Sequence, residues 1–311
     1  MRALVTGANG FVGSYLVAEL RARDVDVVAG VHARDFGASE FAFDLDDASS
    51  VNELVRSSRP DVVFHLAGQA FVPQATSDPQ GTYATNIIGT ARLVDAIRAL
   101  AAGARPRLVF SSSGEVYGAR SAHELPLRES MATAPATPYA ASKVAAEAIV
   151  LASARMYGFD AIVTRGFNHI GPGQSDRFVV ASFAKRLAEI AAGGSPLLPV
   201  GNLTPARDFL DVRDVVRAYA DLAERGMAGE VYNVCSGVPT QIREVLRHLV
   251  MAARAAVEIR EDPALVRTVD MPVLYGDNEK LRTATGWEPK IALPRSLRDV
   301  YDAAREALAT A

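Results

Sequence analysis

Apolar residues dominate five short runs, at 2–6 (RALVT), 25–31 (VDVVAGV), 61–66 (DVVFHL), 107–113 (RLVFSSS) and 160–166 (DAIVTRG). Runs of this length and near-continuous hydrophobicity predict strands buried on both faces. Between them the pattern turns helical, from Phe11 to about Arg21, over 51–58, over roughly 81–102 and over 138–156. Strands that alternate with helices predict parallel pairing through right-handed crossovers. The alternation loosens after about Asn168. GPGQSD at 171–176 reads as a loop, 177–192 as a helix, and 193–206 as a Gly/Pro-rich stretch. Further helices are expected at about 211–225 and 240–252. Residues 262–290 read as mostly irregular, with Pro263, Pro272 and Pro289, and an amphipathic helix closes the chain at 294–309. The pattern predicts an α/β protein: a doubly wound parallel sheet in residues 1–168, with a smaller mixed α/β region in 169–311. Some strands and helices of the second region are expected to return to the first.

The loop after the first strand carries Gly7, Gly10 and Gly13 and opens straight into a helix. That context gives a glycine triplet its meaning. Gly7 allows a tight turn, Gly10 lets a pyrophosphate approach the backbone and the positive helix end, and Gly13 lets helix and sheet pack closely. The fold is therefore expected to be Rossmann-type, and the ligand a dinucleotide. An acid commonly ends the second strand of such a site and holds the ribose hydroxyls. Here the strand runs into His32-Ala33-Arg34 instead. Arg34 can face a 2′-phosphate, so NADP(H) is preferred, with NAD(H) possible. Asp44 stands at another strand end, placed to accept a hydrogen bond from an adenine amine.

Tyr139 and Lys143 lie four apart in PYAASK, on one face of an expected helix. A lysine cation beside a phenol is expected to lower the phenol pKa, so that Tyr139 can exchange a proton with a substrate oxygen near neutral pH. Ser113 ends the strand RLVFSSS, at the sheet edge where ligands bind in such folds. Its hydroxyl can hold a carbonyl oxygen as charge develops there. Glu115 offers a second acid or base, or an orienting group for a sugar.

Composition narrows the class of protein further. The chain has 311 residues, 49% hydrophobic and 22% charged, with 33 Lys and Arg against 36 Asp and Glu. No basic stripe points to nucleic acid, and no apolar run is long enough for a membrane span. Histidines at 32, 65, 123, 169 and 248 lack metal-ligand spacing, and His65 reads as structural within its apolar strand. Cys235 is the single cysteine, which excludes an intrachain disulfide and fits a reducing cytosol. The chain enters a strand directly from MRALVTG, so a cytoplasmic enzyme without a signal peptide is expected.

These pieces resemble the extended short-chain dehydrogenase/reductase family, whose members act on nucleotide sugars. The resemblance is carried by TGANGFVGSYL at 6–16, DVVFHLAGQA at 61–70, SSSGEVYG at 111–118 and PYAASK at 138–143. It continues through RGFNHIGPGQ at 165–174, GNLTPARDFLDVRDVV at 201–216, VYNVCSG at 231–237 and GWEP at 286–289. It implies Ser113, Tyr139 and Lys143 as catalytic residues, with Glu115 beside them. A cofactor site is implied that adds Asn9, Phe11, Val12, Leu45, Leu66, Ala67, Gly68, Asn86, Ser111, Tyr139, Lys143 and Phe167 to the glycines, with Lys143 placed to hold the nicotinamide ribose. Substrate contacts are implied for Gln69, Ser113, Asn168, Val179, Lys185 and Asn202, with Arg207 and Arg267 near a diphosphate. Subunits of the family pair through a four-helix bundle, so a homodimer is implied, with the helices at 85–100 and 138–156 as candidates.

Within the family the carboxyl-half motifs resemble the GDP-sugar branch. The implied activity is NAD(P)H-dependent reduction of the C4 keto group of GDP-4-keto-6-deoxy-D-mannose to GDP-D-rhamnose. GDP-mannose 4,6-dehydratase activity, alone or combined with the reductase, and nucleotide-sugar epimerase activity are the alternatives. The dTDP-glucose dehydratases place an Asp immediately before the Glu, and the GDP-mannose dehydratases a hydroxyl residue; this chain has Gly114. Gly114 also departs from the serine expected of a reductase, so Glu115 does not decide the reaction. The short chain and the compact 174–186 segment favour reduction.

Overall fold

The chain is described by a computed structural model over residues 1–32, 40–265 and 271–310. Arg34 and Arg267 lie outside these residues. The first region follows the order β1 (Arg2–Thr6), α1 (Phe11–Ala22), β2 (Asp26–His32), β3 (Glu40–Phe43), α2 (Ala48–Ser58) and β4 (Val62–His65). It continues with α3 (Val72–Ser77), α4 (Pro79–Tyr83), a π-helical turn at Ala84–Ile88, α5 (Gly89–Ala99), β5 (Arg107–Ser113), α6 (Pro138–Tyr157), β6 (Ala161–Gly166) and β7 (Asn168–Ile170). The remainder runs α7 (Val179–Ala191), β8 (Leu197–Val200), β9 (Ala206–Asp211), α8 (Val212–Arg225), β10 (Val231–Val234), β11 (Pro239–Gln241) and α9 (Ile242–Ala253). It ends with β12 (Glu258–Glu261), β13 (Val273–Leu274), α10 (Glu279–Thr285) and α11 (Leu293–Ala309).

Seven parallel strands form the main sheet in the order β10-β6-β5-β4-β1-β2-β3. Strand order reverses between β1 and β4, whose carboxyl ends pair Thr6 with His65. A crevice opens at such a reversal, and this is where doubly wound sheets bind ligands. One apolar core, built on Leu16, Leu20, Val215 and Tyr219, packs α1 and α8 on one face. Another, built on Leu54, Leu93, Ile97 and Val150, packs α2, α5 and α6 on the other. Residues 212–225 and 231–234 thus join the first layer as α8 and β10. Helices α7, α9 and α11 enclose a separate core around Phe183, Leu187, Leu246 and Leu249. A small cluster of Tyr117, Leu127, Phe167, Cys235 and Leu274 joins the two regions.

The helices that carry chemistry have clear local signals. Thr137 caps α6 by accepting the Ala140 N–H at 3.1 Å, Pro138 sits at the first helical position, and Gly158 ends the helix in the left-handed region. Asp211 caps α8 in the same way through Arg213 N–H. Three stretches depart from the sequence reading, one of them 262–290, where α10 forms and packs on α8 in a segment expected to be mostly irregular. The single helix expected over 81–102 is broken into α4, the π turn and α5. Asp78 accepts the Gly81 N–H and Pro79 starts α4, so a new helix begins before residue 81. The stretches expected as loops hold short strands: β8 pairs with β12, and β9 pairs with β7, β11 and β13. Each is too short or too polar to show a strand period, as EIRE of β12 illustrates.

Candidate active site

A cavity of about 670 Å³ opens at the strand-order reversal, between the main sheet and the α7 region. Gly7, Gly10 and Gly13 line one end. Gly7 sits at φ +73°, and a side chain there would meet Ala67 N at 2.9 Å. A Cβ on Gly13 would fall 2.0 Å from the Gly7 carbonyl oxygen, so only glycine lets α1 start this close to the loop. Phe11 and Val12 complete this wall. The close-approach glycines and the start of α1 fit a dinucleotide pyrophosphate.

Ser111, Ser113, Glu115, Tyr139 and Lys143 meet on the wall beside the cradle. Tyr139 and Lys143 come from the first turns of α6, and Ser113 from the end of β5. Ser113 Oγ accepts the Glu115 N–H at 3.2 Å, which starts the short turn Gly114–Tyr117. Lys143 Nζ donates to the Ser111 carbonyl at 2.8 Å and stands 5.2 Å from the Phe110 ring centroid. Burial pushes the lysine down to about 8, against the pull of Glu147 upward. The phenol departs from expectation. Burial, then the Glu115 carboxylate, holds Tyr139 well above its ordinary range, while a hydrogen bond with Ser113 pulls it back. Burial sets the direction here, in place of the lowering expected from Lys143. Tyr139 is therefore a firmly protonated donor.

Behind this wall, His65 is buried between two threonines. Thr90 gives its hydroxyl proton to the Asn86 carbonyl at 2.7 Å, so His65 Nε2 donates to Thr90 Oγ1 at 3.1 Å. His65 Nδ1 then accepts from Thr6 Oγ1 at 2.8 Å, and Thr6 accepts the Ala67 N–H at 3.3 Å. Burial, with the nearby Lys143 charge, pushes His65 down to about 3, so it is neutral. The Asn86 side chain grips both backbone groups of Gln69, at 2.8 and 2.9 Å, and donates to Ser142 Oγ at 3.0 Å. It thereby ties the loop after β4 to α6, from the π-helical turn that the sequence pattern hid.

The other sequence-derived positions divide clearly. Leu66, Gly68, Gln69, Phe167, Asn168 and Val179 line the cavity. Gln69 is also held locally, donating to the Phe71 carbonyl and Thr82 Oγ1 and accepting the Phe71 N–H. Asn9, Asp44, Leu45, Ala67 and Asn86 stand off that wall. Asp44 accepts the Asp46 N–H at 2.8 Å in a local turn, and Leu45 is buried under Gly89. The structure does not bring Lys185, Asn202 or Arg207 to the wall. Lys185 pairs with Asp176 at 2.7 Å, Asn202 closes a turn onto Thr204, and Arg207 donates to the Ala206 and Met271 carbonyls. Each therefore has a local partner where a substrate contact was expected.

Residues not singled out from the sequence complete the other end. Phe71 and Phe178 face each other edge to face with ring centroids 5.8 Å apart, and the Arg177 guanidinium stands 5.9 Å from the Phe71 centroid. His169 and Gln174 also line the cavity, and His169 Nδ1 and Gln174 Oε1 are buried without a hydrogen-bond partner. Their motif, FNHIGPGQ, was visible, but nothing in its spacing showed which polar atoms turn inward. Phe167 lays its ring 3.0 Å from where a Cβ on Gly114 would stand. Among the described residues no group of three His, Cys, Asp or Glu gathers as a metal site, and no helix is long and apolar enough to cross a membrane.

A glycine cradle at the reversal of a parallel sheet, with Ser, Tyr and Lys meeting beside it, defines a nicotinamide-dependent oxidoreductase of the extended short-chain dehydrogenase/reductase class. The chain belongs to the GDP-mannose 4,6-dehydratase family, whose model matches residues 4–300. It is 40% identical to a GDP-6-deoxy-D-mannose reductase of Pseudomonas aeruginosa over 301 residues, 96% of this chain and 95% of that one. The solved structure of RMD from Pseudomonas aeruginosa complexed with NADPH matches with a TM-score of 0.87 at 38% identity, covering 98% of this chain and 99% of the other. The Thermus thermophilus UDP-glucose 4-epimerase in complex with NAD matches with a TM-score of 0.88 at 32% identity, covering 99% and 100%.

Proposed function

We propose that the protein reduces the C4 keto group of GDP-4-keto-6-deoxy-D-mannose to give GDP-D-rhamnose, with NADPH preferred and NADH accepted. The observation that carries this reading is the meeting of Ser113, Tyr139 and Lys143 on the wall of the cavity that holds the glycine cradle. The reductase relative at 40% identity supports the direction, and its solved counterpart with NADPH supports the cofactor. Absence of an acid at His32-Ala33-Arg34 points to the same cofactor.

Bound NADPH supplies the hydride that reduces C4. Tyr139 donates its proton to the C4 oxygen and is reprotonated from solvent, so ketone, hydride and proton together give the alcohol. Ser113 holds that oxygen during the transfer, and Lys143, a cation, holds the nicotinamide ribose beside it. The Gly7–Gly13 loop and α1 hold the pyrophosphate. Phe71, Phe178 and the neighbouring Arg177 flank the sugar-nucleotide end.

Reduction is favoured over 4,6-dehydration by the relatives: the reductase is 40% identical to this chain, and a GDP-mannose 4,6-dehydratase of Sinorhizobium fredii 28%. The proposed assembly is a homodimer through α5 and α6, supported by exposed Ile88 and Met156 on or beside these helices; a cytoplasmic setting is proposed with it, which the single cysteine of the chain fits.

The test is NADPH oxidation by the purified protein with GDP-4-keto-6-deoxymannose, the product identified by NMR. Stoichiometric oxidation with GDP-rhamnose is expected. Turnover of GDP-mannose without added NADPH would move the assignment to the dehydratase.

A further inference from the structure

One turn of α6 beyond Lys143, Glu147 is buried among three elements. Its Oε1 accepts from Ser112 Oγ at 2.5 Å and from Arg165 Nε at 3.0 Å, and its Oε2 accepts from Arg165 Nη2 at 2.7 Å. Ser112, Glu147 and Arg165 are each 5–6% exposed. Ser112 and Arg165 are register partners on β5 and β6, so the carboxylate clamps α6 across two strands. Arg165 also lies 4.7 Å from the Tyr117 ring centroid, and Tyr117 donates to Asn233 Oδ1 at 2.7 Å. The clamp thus extends to β10, where Asn233 is the register partner of Arg165.

A buried ion pair is weak as a device for stability, because desolvation offsets much of its attraction. Its position argues for another role. Ser112 lies between Ser111, whose carbonyl seats Lys143 Nζ, and Ser113. We infer that Glu147, clamped by Arg165 and Ser112, is the positioning residue that seats Lys143 and keeps it a cation. The inference rests on the proposed role of Lys143 beside the nicotinamide.

The surroundings leave this work to Glu147. On its own helix Lys143 meets Tyr139 and Glu147. From β4 it faces His65, which is neutral; from β5, the Ser111 carbonyl and the Phe110 ring. The turn after β5 brings Glu115 against Tyr139 and sets Tyr117 beneath Arg165, while α8 brings Tyr219, whose hydroxyl meets Ser111 Oγ at 3.3 Å. Glu147 is the charge that pulls the lysine upward against burial, and Arg165 acts on the lysine through Glu147.

Two variants test this: Glu147→Gln, which keeps shape, and Glu147→Met with Arg165→Met, which removes both buried charges and keeps the fold within reach. NADPH affinity is followed from pH 6 to 10 by nicotinamide fluorescence, alongside the pH profile of kcat/KM. In both variants the alkaline midpoint is expected to fall by at least about half a pH unit, roughly a three-fold loss of charged Lys143 on that limb. Lowered thermal stability with an unmoved midpoint in a folded variant would reduce Glu147 to a structural clamp and overturn the inference. If neither substrate reduction nor NADPH oxidation is observed at all, the reductase reading fails. The binding midpoint still decides the role of Glu147.

Discussion

The two ends of the cavity are built by different means. At the dinucleotide end, the loop between β1 and α1 supplies the wall within seven residues, and its shape depends on backbone rather than side chains. At the other end, Phe71, Asn168, His169, Phe178 and Leu274 converge from places up to 203 residues apart. A backbone cradle serves any dinucleotide enzyme, which fits a reductase and an epimerase both matching over nearly the whole chain. Side chains brought together from distant loops can change one at a time. Choice of sugar and reaction therefore belongs to the second end, and cofactor binding to the first.

The sharpest break in that comparison falls where the ends meet. Tyr139→Phe removes the proton donor and leaves the cradle intact. The catalytic rate should fall by about 10²- to 10⁴-fold, with NADPH affinity nearly unchanged. Steady-state turnover and fluorescence titration would check both, and turnover near wild type would sink the catalytic assignment. Gly13→Ala attacks the cradle instead. Its new Cβ would stand 2.0 Å from the Gly7 carbonyl and 2.8 Å from Ala8 Cα. Overpacking of this kind costs about 1–3 kcal/mol of stability, and calorimetry should show NADPH binding lost, while the α7 end keeps its packing.

The same contrast explains what was legible in the sequence. Gly7, Gly10 and Gly13 act through local backbone geometry, so strand, loop and helix could be read in order. Tyr139 and Lys143 share a helical face, and their spacing alone placed them together. Lys185, Asn202 and Arg207 were read from motif, yet local partners engage their polar atoms, because a motif does not show which way a side chain turns. Phe71 and Phe178 carry no pattern until the fold joins them. That Tyr139 would be raised rather than lowered was also out of reach, since burial is a tertiary property and here it outweighs the Ser113 hydrogen bond.

Acid should weaken both regions together. His65 behind the cradle and His169 at the sugar end are held neutral by burial, at about 3 and about 4. Unfolded, each titrates near 6.5, so between pH 6.5 and 4 the unfolded chain binds two more protons through them. Asp208 opposes this: burial raises it to about 6, so in the same window the folded chain holds one proton that the unfolded chain releases. The net is one proton more on the unfolded chain. Stability should fall by about 1.4 kcal/mol per pH unit on acidification, as urea midpoints would measure. His65→Gln and His169→Gln should each flatten that slope. Equal flattening means that the two ends unfold as one cooperative unit, and a change in only one of two transitions would separate them.

The smallest effect tests the sugar end alone. Phe178 caps the amino end of α7, and Phe71 lies in the loop after β4, so their contact bridges the two regions across the cavity. An edge-to-face aromatic pair contributes about 0.5–1.5 kcal/mol beyond its buried area. Phe178 is partly exposed, so its truncation leaves the cores around Leu187 and Leu93 untouched. Phe178→Ala should therefore raise KM for the nucleotide sugar by about two- to ten-fold and leave NADPH affinity as it was. Were NADPH affinity to fall as much as sugar affinity, the pair would be holding the whole cavity in shape. The division between a backbone-built end and a side-chain-built end would then be wrong at the point where the regions touch.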